Sequence, residues 1–169
     1  MQKARSLPTY TTVEHLFDSV WRTLLANVRR RGNVEATPDG RADFFAWVAL
    51  LEEKEARALS GENVMMLEDD YHLAASFILD MAAVVANRCF CFTEGGFLCL
   101  APKETRVGDV VSVLMGGKVC YILRGENEDG REGEEVVEWR LVGEAYVHGL
   151  MKGEAMGMDR FDIQPIVLV

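Results

Sequence analysis

Gly108-Asp109-Val110-Val111-Ser112-Val113-Leu114-Met115-Gly116-Gly117 and, further on, Arg140-Leu141-Val142-Gly143-Glu144-Ala145-Tyr146-Val147-His148-Gly149-Leu150-Met151 decide the fold. Both stretches are rich in β-branched and aromatic residues that repeat with a period of two, the spacing of a strand. Gly116-Gly117 supplies the positive φ angles that a tight hairpin needs, and Glu94-Gly95-Gly96 does the same upstream. Strands are expected near residues 88–93, 97–100, 109–115, 118–124, 136–148 and 162–168. Short strands joined by tight turns pair antiparallel. The back half therefore predicts a small antiparallel β-barrel or curled sheet of about five to six strands.

The front half changes period. Thr11-Thr12-Val13-Glu14 reads as a capping box with Thr11 at the N-cap. Val13, Leu16, Phe17, Val20, Leu24 and Val28 then recur at three and four, one face of a helix. Arg29-Arg30-Arg31 sits where a helix C-terminus favours cations, and Gly32 can close it. A second helix is expected over 42–59, burying Phe44, Phe45, Trp47, Val48 and Leu51, with Ser60-Gly61 as its stop. A third, over 68–87, is apolar on most sides and either packs between layers or lines a cavity. Helices first and strands afterwards point to an α+β fold. With no long linker, the 169 residues read as one domain, helical over about 10–87 and β over about 88–169.

Composition narrows the function. A formal charge of −9 opposes nucleic-acid binding, which needs a basic face to displace counterions. No stretch is long and apolar enough for a membrane span, and the start carries no signal peptide, so a cytoplasmic protein is expected. The acidic run from Glu126 to Glu138 reads as a solvated loop. Cys89, Cys91, Cys99 and Cys120 all fall in strand patterns without the spacing of a zinc site, and read as reduced packing residues. Neither a metal nor a cofactor is implied: there is no P-loop, no Gly-x-Ser-x-Gly and no dinucleotide fingerprint.

Strict alternation along the last long strand puts Trp139, Leu141, Ala145 and Val147 on one face, expected as core. Arg140, Val142, Glu144, Tyr146 and His148 fall on the other. That mixture of hydroxyl, imidazole, carboxylate and guanidinium has two readings. It is a structural network, with Glu144 paired to Arg140 or Arg124, or it is a rim of polar donors over an apolar pocket.

The segment from Arg88 to Ala155 resembles the C-terminal region of fungal heterokaryon-incompatibility (HET) domain proteins. The shared features are Thr93, Gly96-Phe97, Pro102, Gly108-Asp109, Gly116-Gly117, Leu123-Arg124, Trp139 through Gly149, and Gly153-Glu154-Ala155. Val20-Trp21-Arg22-Thr23-Leu24 is similar to a short helix that precedes this region in the family. The chain departs at Cys99-Leu100-Ala101-Pro102, where the family has Gly-x-Gly-Pro, and at Val119-Cys120-Tyr121, where it has Val-Pro-Phe. The HET signalling domain is not among these residues, so incompatibility signalling does not transfer.

The resemblance implies a fungal scaffold of the kind recruited to secondary-metabolite pathways. It suggests a cofactor-free cyclase performing a Diels–Alder-type [4+2] cycloaddition on an apolar terpenoid or polyketide intermediate. Tyr146, His148, Arg124 and Tyr121 are then the candidate catalytic donors. Phe77, Met81, Trp139, Thr93 and Glu144 are the candidate substrate-binding residues. The alternative is a non-enzymatic HET-related interaction or regulatory module. Oligomeric state is not legible in the chain.

Overall fold

The computed structural model describes residues 12–29, 34–35, 39–61, 68–126, 138–158 and 163–169. Contacts divide the chain into a helical unit, Thr11–Ala86, and a sheet unit whose body is Asn87–Val169.

In the helical unit, α1 (Val13–Leu24) starts one residue later than the capping-box reading: Thr12 is the N-cap, its side chain accepting the His15 N–H at 3.1 Å. The helix also stops early. Ala26 and Asn27 take positive φ, and the Asn27 amide donates to the Arg22 carbonyl at 2.7 Å. Asn adopts this left-handed turn at lower cost than most residues. The chain then leaves as β1 (Val28–Arg29), paired antiparallel with β2 (Val34–Glu35). Arg29 is thus a strand residue rather than a helix end, and Arg30, Arg31 and Gly32 lie outside the described residues.

Helix α2 (Asp39–Leu59) begins three residues earlier than expected. Gly40 allows this: a Cβ there would stand 3.1 Å from the buried Trp21 ring. Helix α3 (Glu68–Val85) ends just before Asn87, another positive-φ turn. Trp21, Leu25, Phe44 and Phe77 form the core, with Phe77 centred 5.4 Å from Phe44 and 5.3 Å from Trp47. The expected apolar faces are narrower than the sequence suggests, since Phe45 and Leu51 of α2 and Leu79 of α3 are exposed.

The sheet unit holds β3 (Arg88–Phe92), β4 (Leu98–Pro102), β5 (Val110–Val113), β6 (Cys120–Gly125), β7 (Glu138–Val147) and β8 (Val167–Leu168). Five strands run antiparallel in the order β3-β4-β7-β6-β5, and β8 pairs in parallel with the start of β7. Among the described residues no pairing joins β3 to β5, so the sheet is open rather than a closed barrel. The α+β class holds.

One irregularity reorganises the sheet. Ile122 pairs with Gly143 and Leu123 with Leu141, leaving Val142 as an extra residue in β7. Such a bulge switches the faces of everything on one side of it. Directly paired residues share a face, so Arg140 lies with Arg124, and Leu141 with Leu123. Beyond the bulge, Ala145 lies with Cys120 and Val147 with Cys99. The expected core face is therefore split. Ala145 and Val147 are buried in a core with Phe97, Cys99, Ala101, Cys120 and Ile122, against which Val142 packs. Trp139 and Leu141 lie on the opposite face, Leu141 being 48% exposed.

Pro102 of β4 packs closely on Gly143: a Cβ there would lie 2.8 Å from Pro102 Cγ. Gly143→Ala is expected to force β4 and β7 apart and destabilise the protein by about 1–3 kcal/mol. Urea unfolding of the two proteins measures this.

Candidate functional site

The end of β7 brings two candidates together. Tyr146 pairs with Leu100 of β4 and is only 8% exposed. One residue past the strand, the His148 amide donates to the Leu98 carbonyl at 2.9 Å, and Gly149 turns the chain away with φ +85°. This fixes the imidazole two residues from Tyr146, with Tyr146 Oη 3.1 Å from His148 Nδ1. Either the phenol donates to Nδ1, or Nδ1–H donates to the phenol oxygen. In both tautomers the pair as a unit carries one further N–H or O–H.

Tyr121 and Glu144 face each other across β6 and β7, on the same side of the sheet as Tyr146. The Tyr121 ring lies over Gly117, where a Cβ would come 2.7 Å from Cε2; only glycine lets the turn fold under it. The Glu144 carbonyl accepts the Arg88 Nη1–H at 2.9 Å. Thr93 is at this end of the sheet too, but its Oγ1 accepts the Phe97 amide at 3.0 Å and closes the β3–β4 hairpin. Thr93 thus serves its own turn.

Arg124 and Trp139 occupy the other end. Arg124 meets Asp109 in a two-pronged pair: Nε to Oδ1 and Nη2 to Oδ2, each 2.7 Å. Its Nη2 also donates to the Glu104 carbonyl at 2.9 Å, while Asp109 Oδ2 accepts the Arg106 amide at 2.8 Å. The Asp109 side chain is 4% exposed. The sequence reading paired Glu144 with Arg140 or Arg124; the observed pairs are Arg124 with Asp109 and Arg140 with Glu126. Trp139 and Arg124 line a shallow cleft of about 360 Å³ with Arg106, Val107, Gly108, Asp109 and Gly125.

Seven residue steps of strand separate Trp139 from Tyr146, roughly 20 Å. One small molecule does not bridge that span. Arg124 is also on the opposite face from Tyr121 and Tyr146. Phe77 and Met81 belong to the helical unit, where Phe77 is fully buried and Met81 packs against the same core. The structure therefore brings together Tyr146 and His148, keeps Tyr121 and Glu144 on their face, and sets Arg124 and Trp139 apart. Among the described residues no cluster of three or more His, Cys, Asp or Glu could hold a metal ion.

Hydrogen bonds from Arg124 hold the Asp109 carboxyl below its ordinary value, and its burial only partly opposes this. A carboxyl depressed on folding adds stability above its unfolded pKa of about 3.9, and that contribution is lost as pH falls through the lower folded value. Asp109→Asn is thus expected to lower the melting temperature at pH 7. Below about pH 4 the wild-type and variant melting curves should converge. A gap that stays constant down to pH 2 would show that the pair contributes no pH-dependent stability.

No helix among the described residues is long and apolar enough to cross a membrane. No curated protein and no solved structure matches the chain. The model of one family, the Het-6 beta-barrel domain, matches residues 1–162, nearly the whole sequence and both units. That match, spanning the helices, the glycine hairpins and the long strand that carries Tyr146 and His148, shows that the chain belongs to the Het-6 beta-barrel domain family.

Proposed function

We propose that this Het-6 beta-barrel chain is a cofactor-free, cytoplasmic cyclase of fungal secondary metabolism. Its substrate is an apolar terpenoid or polyketide intermediate carrying a diene and a carbonyl-activated dienophile. The observation that carries the reading is the Tyr146–His148 pair, a phenol and an imidazole 3.1 Å apart at the end of a rigid strand. A [4+2] cycloaddition exchanges no proton and needs no nucleophile. It gains from holding both reacting ends in one pose and from a hydrogen bond to the dienophile carbonyl, where charge builds in the transition state. Tyr146, oriented by His148, supplies that donor, with Tyr121 and Glu144 beside it on the same face. Arg124, tied to Asp109, holds the scaffold instead.

The test uses a linear polyene with a conjugated carbonyl, and compares cyclised product with the reaction in buffer by mass-detected chromatography. Tyr146→Phe is expected to slow cyclisation roughly ten- to hundredfold with the melting temperature little changed. His148→Ala should slow it less, because the phenol remains. Absence of acceleration by the wild-type protein overturns the reading, as does loss of the thermal transition in both variants.

A specific observation favours a second reading, a non-enzymatic interaction module. The edge strand β3 exposes Phe92 (61%) and Phe90, which meet edge to face at 6.3 Å. Large apolar groups on an open sheet edge suit strand addition by a partner. Phe92→Glu is then expected to abolish partner capture while leaving the fold intact. Under the cyclase reading the same variant retains full turnover.

A further inference from the structure

Four sulfurs share one face of the sheet. Cys91 of β3 pairs directly with Cys99 of β4, and Cys89 lies two residues away on the same side. Cys120 joins the same core from β6. The thiols are not equivalent. Cys89 Sγ donates to the Pro102 carbonyl at 3.3 Å and Cys120 Sγ to the Leu150 carbonyl at 3.9 Å, so both are held as neutral thiols. Burial pushes both further up, Cys120 to about 11. Cys91 has a different partner. Cys99, directly opposite on β4, keeps its own proton and its thiol favours the Cys91 thiolate, which lowers Cys91 to about 7 from an ordinary 9.0.

Position distinguishes the pair as well. Cys99 is fully buried, whereas Cys91 is half-buried on an edge strand with no further neighbour among the described residues. Main-chain bonds from Thr93 to Phe97 and from Lys103 to Asn87 bracket the hairpin, so by alternation Cys91 and Cys99 form a hydrogen-bonded pair. Cα atoms at such a pair are about 5.5 Å apart. That is inside the roughly 4.4–6.8 Å that a disulfide spans.

We propose that Cys91 is a hydroperoxide-reactive thiol and that Cys99 resolves the product as a cross-strand disulfide. The Cys91 thiolate attacks the terminal oxygen of the hydroperoxide; the O–O bond breaks, and the alkoxide leaves and takes a proton from water. The resulting sulfenic acid is attacked by Cys99 sulfur, whose proton leaves with the hydroxyl as water. Two thiols are oxidised and one peroxide bond is reduced.

A lowered thiol is more ionised at neutral pH but intrinsically less nucleophilic, so the rate advantage expected at Cys91 is modest.

The protein is treated with hydrogen peroxide at pH 7 and mapped by non-reducing peptide mass spectrometry, with iodoacetamide labelling against pH in parallel. The expected product is a linked Cys91–Cys99 peptide, with Cys91 labelling centred near pH 7. Cys99→Ser should instead accumulate a dimedone-trappable sulfenic acid at Cys91, and Cys99→Ala, which removes the donor, should raise the labelling midpoint. If the serine variant does not fold, Cys99→Ala serves the same purpose. Oxidation of Cys89 or Cys120 as fast as Cys91 overturns the proposal, and so does Cys91 sulfenic acid that persists in the wild type.

Discussion

The extra residue at Val142 decides which side chains of β7 meet which neighbours. A strand has only two faces, so one inserted residue sends everything beyond it to the opposite side. Before the bulge, Trp139 and Leu141 share a face with Leu123; after it, Ala145 and Val147 point the other way, into the core with Cys99 and Cys120. Without the bulge, Val142 and Ala145 could not both pack on that core. Gly143 keeps it in place because Pro102 fills the volume that a side chain would need.

The same irregularity separates two kinds of polar chemistry. Arg140 and Arg124 are carried to one face, where each finds a carboxylate: Glu126 and Asp109 respectively. Tyr146, Glu144 and Tyr121 stay on the other. Residues that the alternation of the sequence places on one face are thus divided between two. Arg124 belongs with Asp109, because a nearly buried carboxylate requires a cation beside it. Tyr146 and His148 lie on that other side of the division, with the phenol oxygen 3.1 Å from the imidazole Nδ1.

Sequence similarity and geometry reach different depths here. Family membership rests on a match along nearly the whole chain, and it names a scaffold. Which chemistry that scaffold carries is a property of local constellations. At the end of β7 a phenol stands beside an imidazole, and along β3 strand register sets one thiol directly opposite another.

Period and turn chemistry are local properties, and they were legible. The change from three-and-four spacing to alternation near Arg88, the hairpins at Gly96 and Gly116, and the α+β class all follow from neighbours in the chain. The early end of α1 was not legible, because Asn27 competes with the apolar period through one left-handed turn and a bond to Arg22. Nor were the partners of Arg124 and Cys91. Asp109 and Cys99 lie across their own hairpins, β5–β6 and β3–β4, from Arg124 and Cys91, and meet them only through the register each turn sets. The chain by itself determined the strands, helices and turns, since those are set by side chains a few residues apart. Tertiary structure alone decided which face each polar group occupies, since that is set by the packing of strands that meet across the sheet.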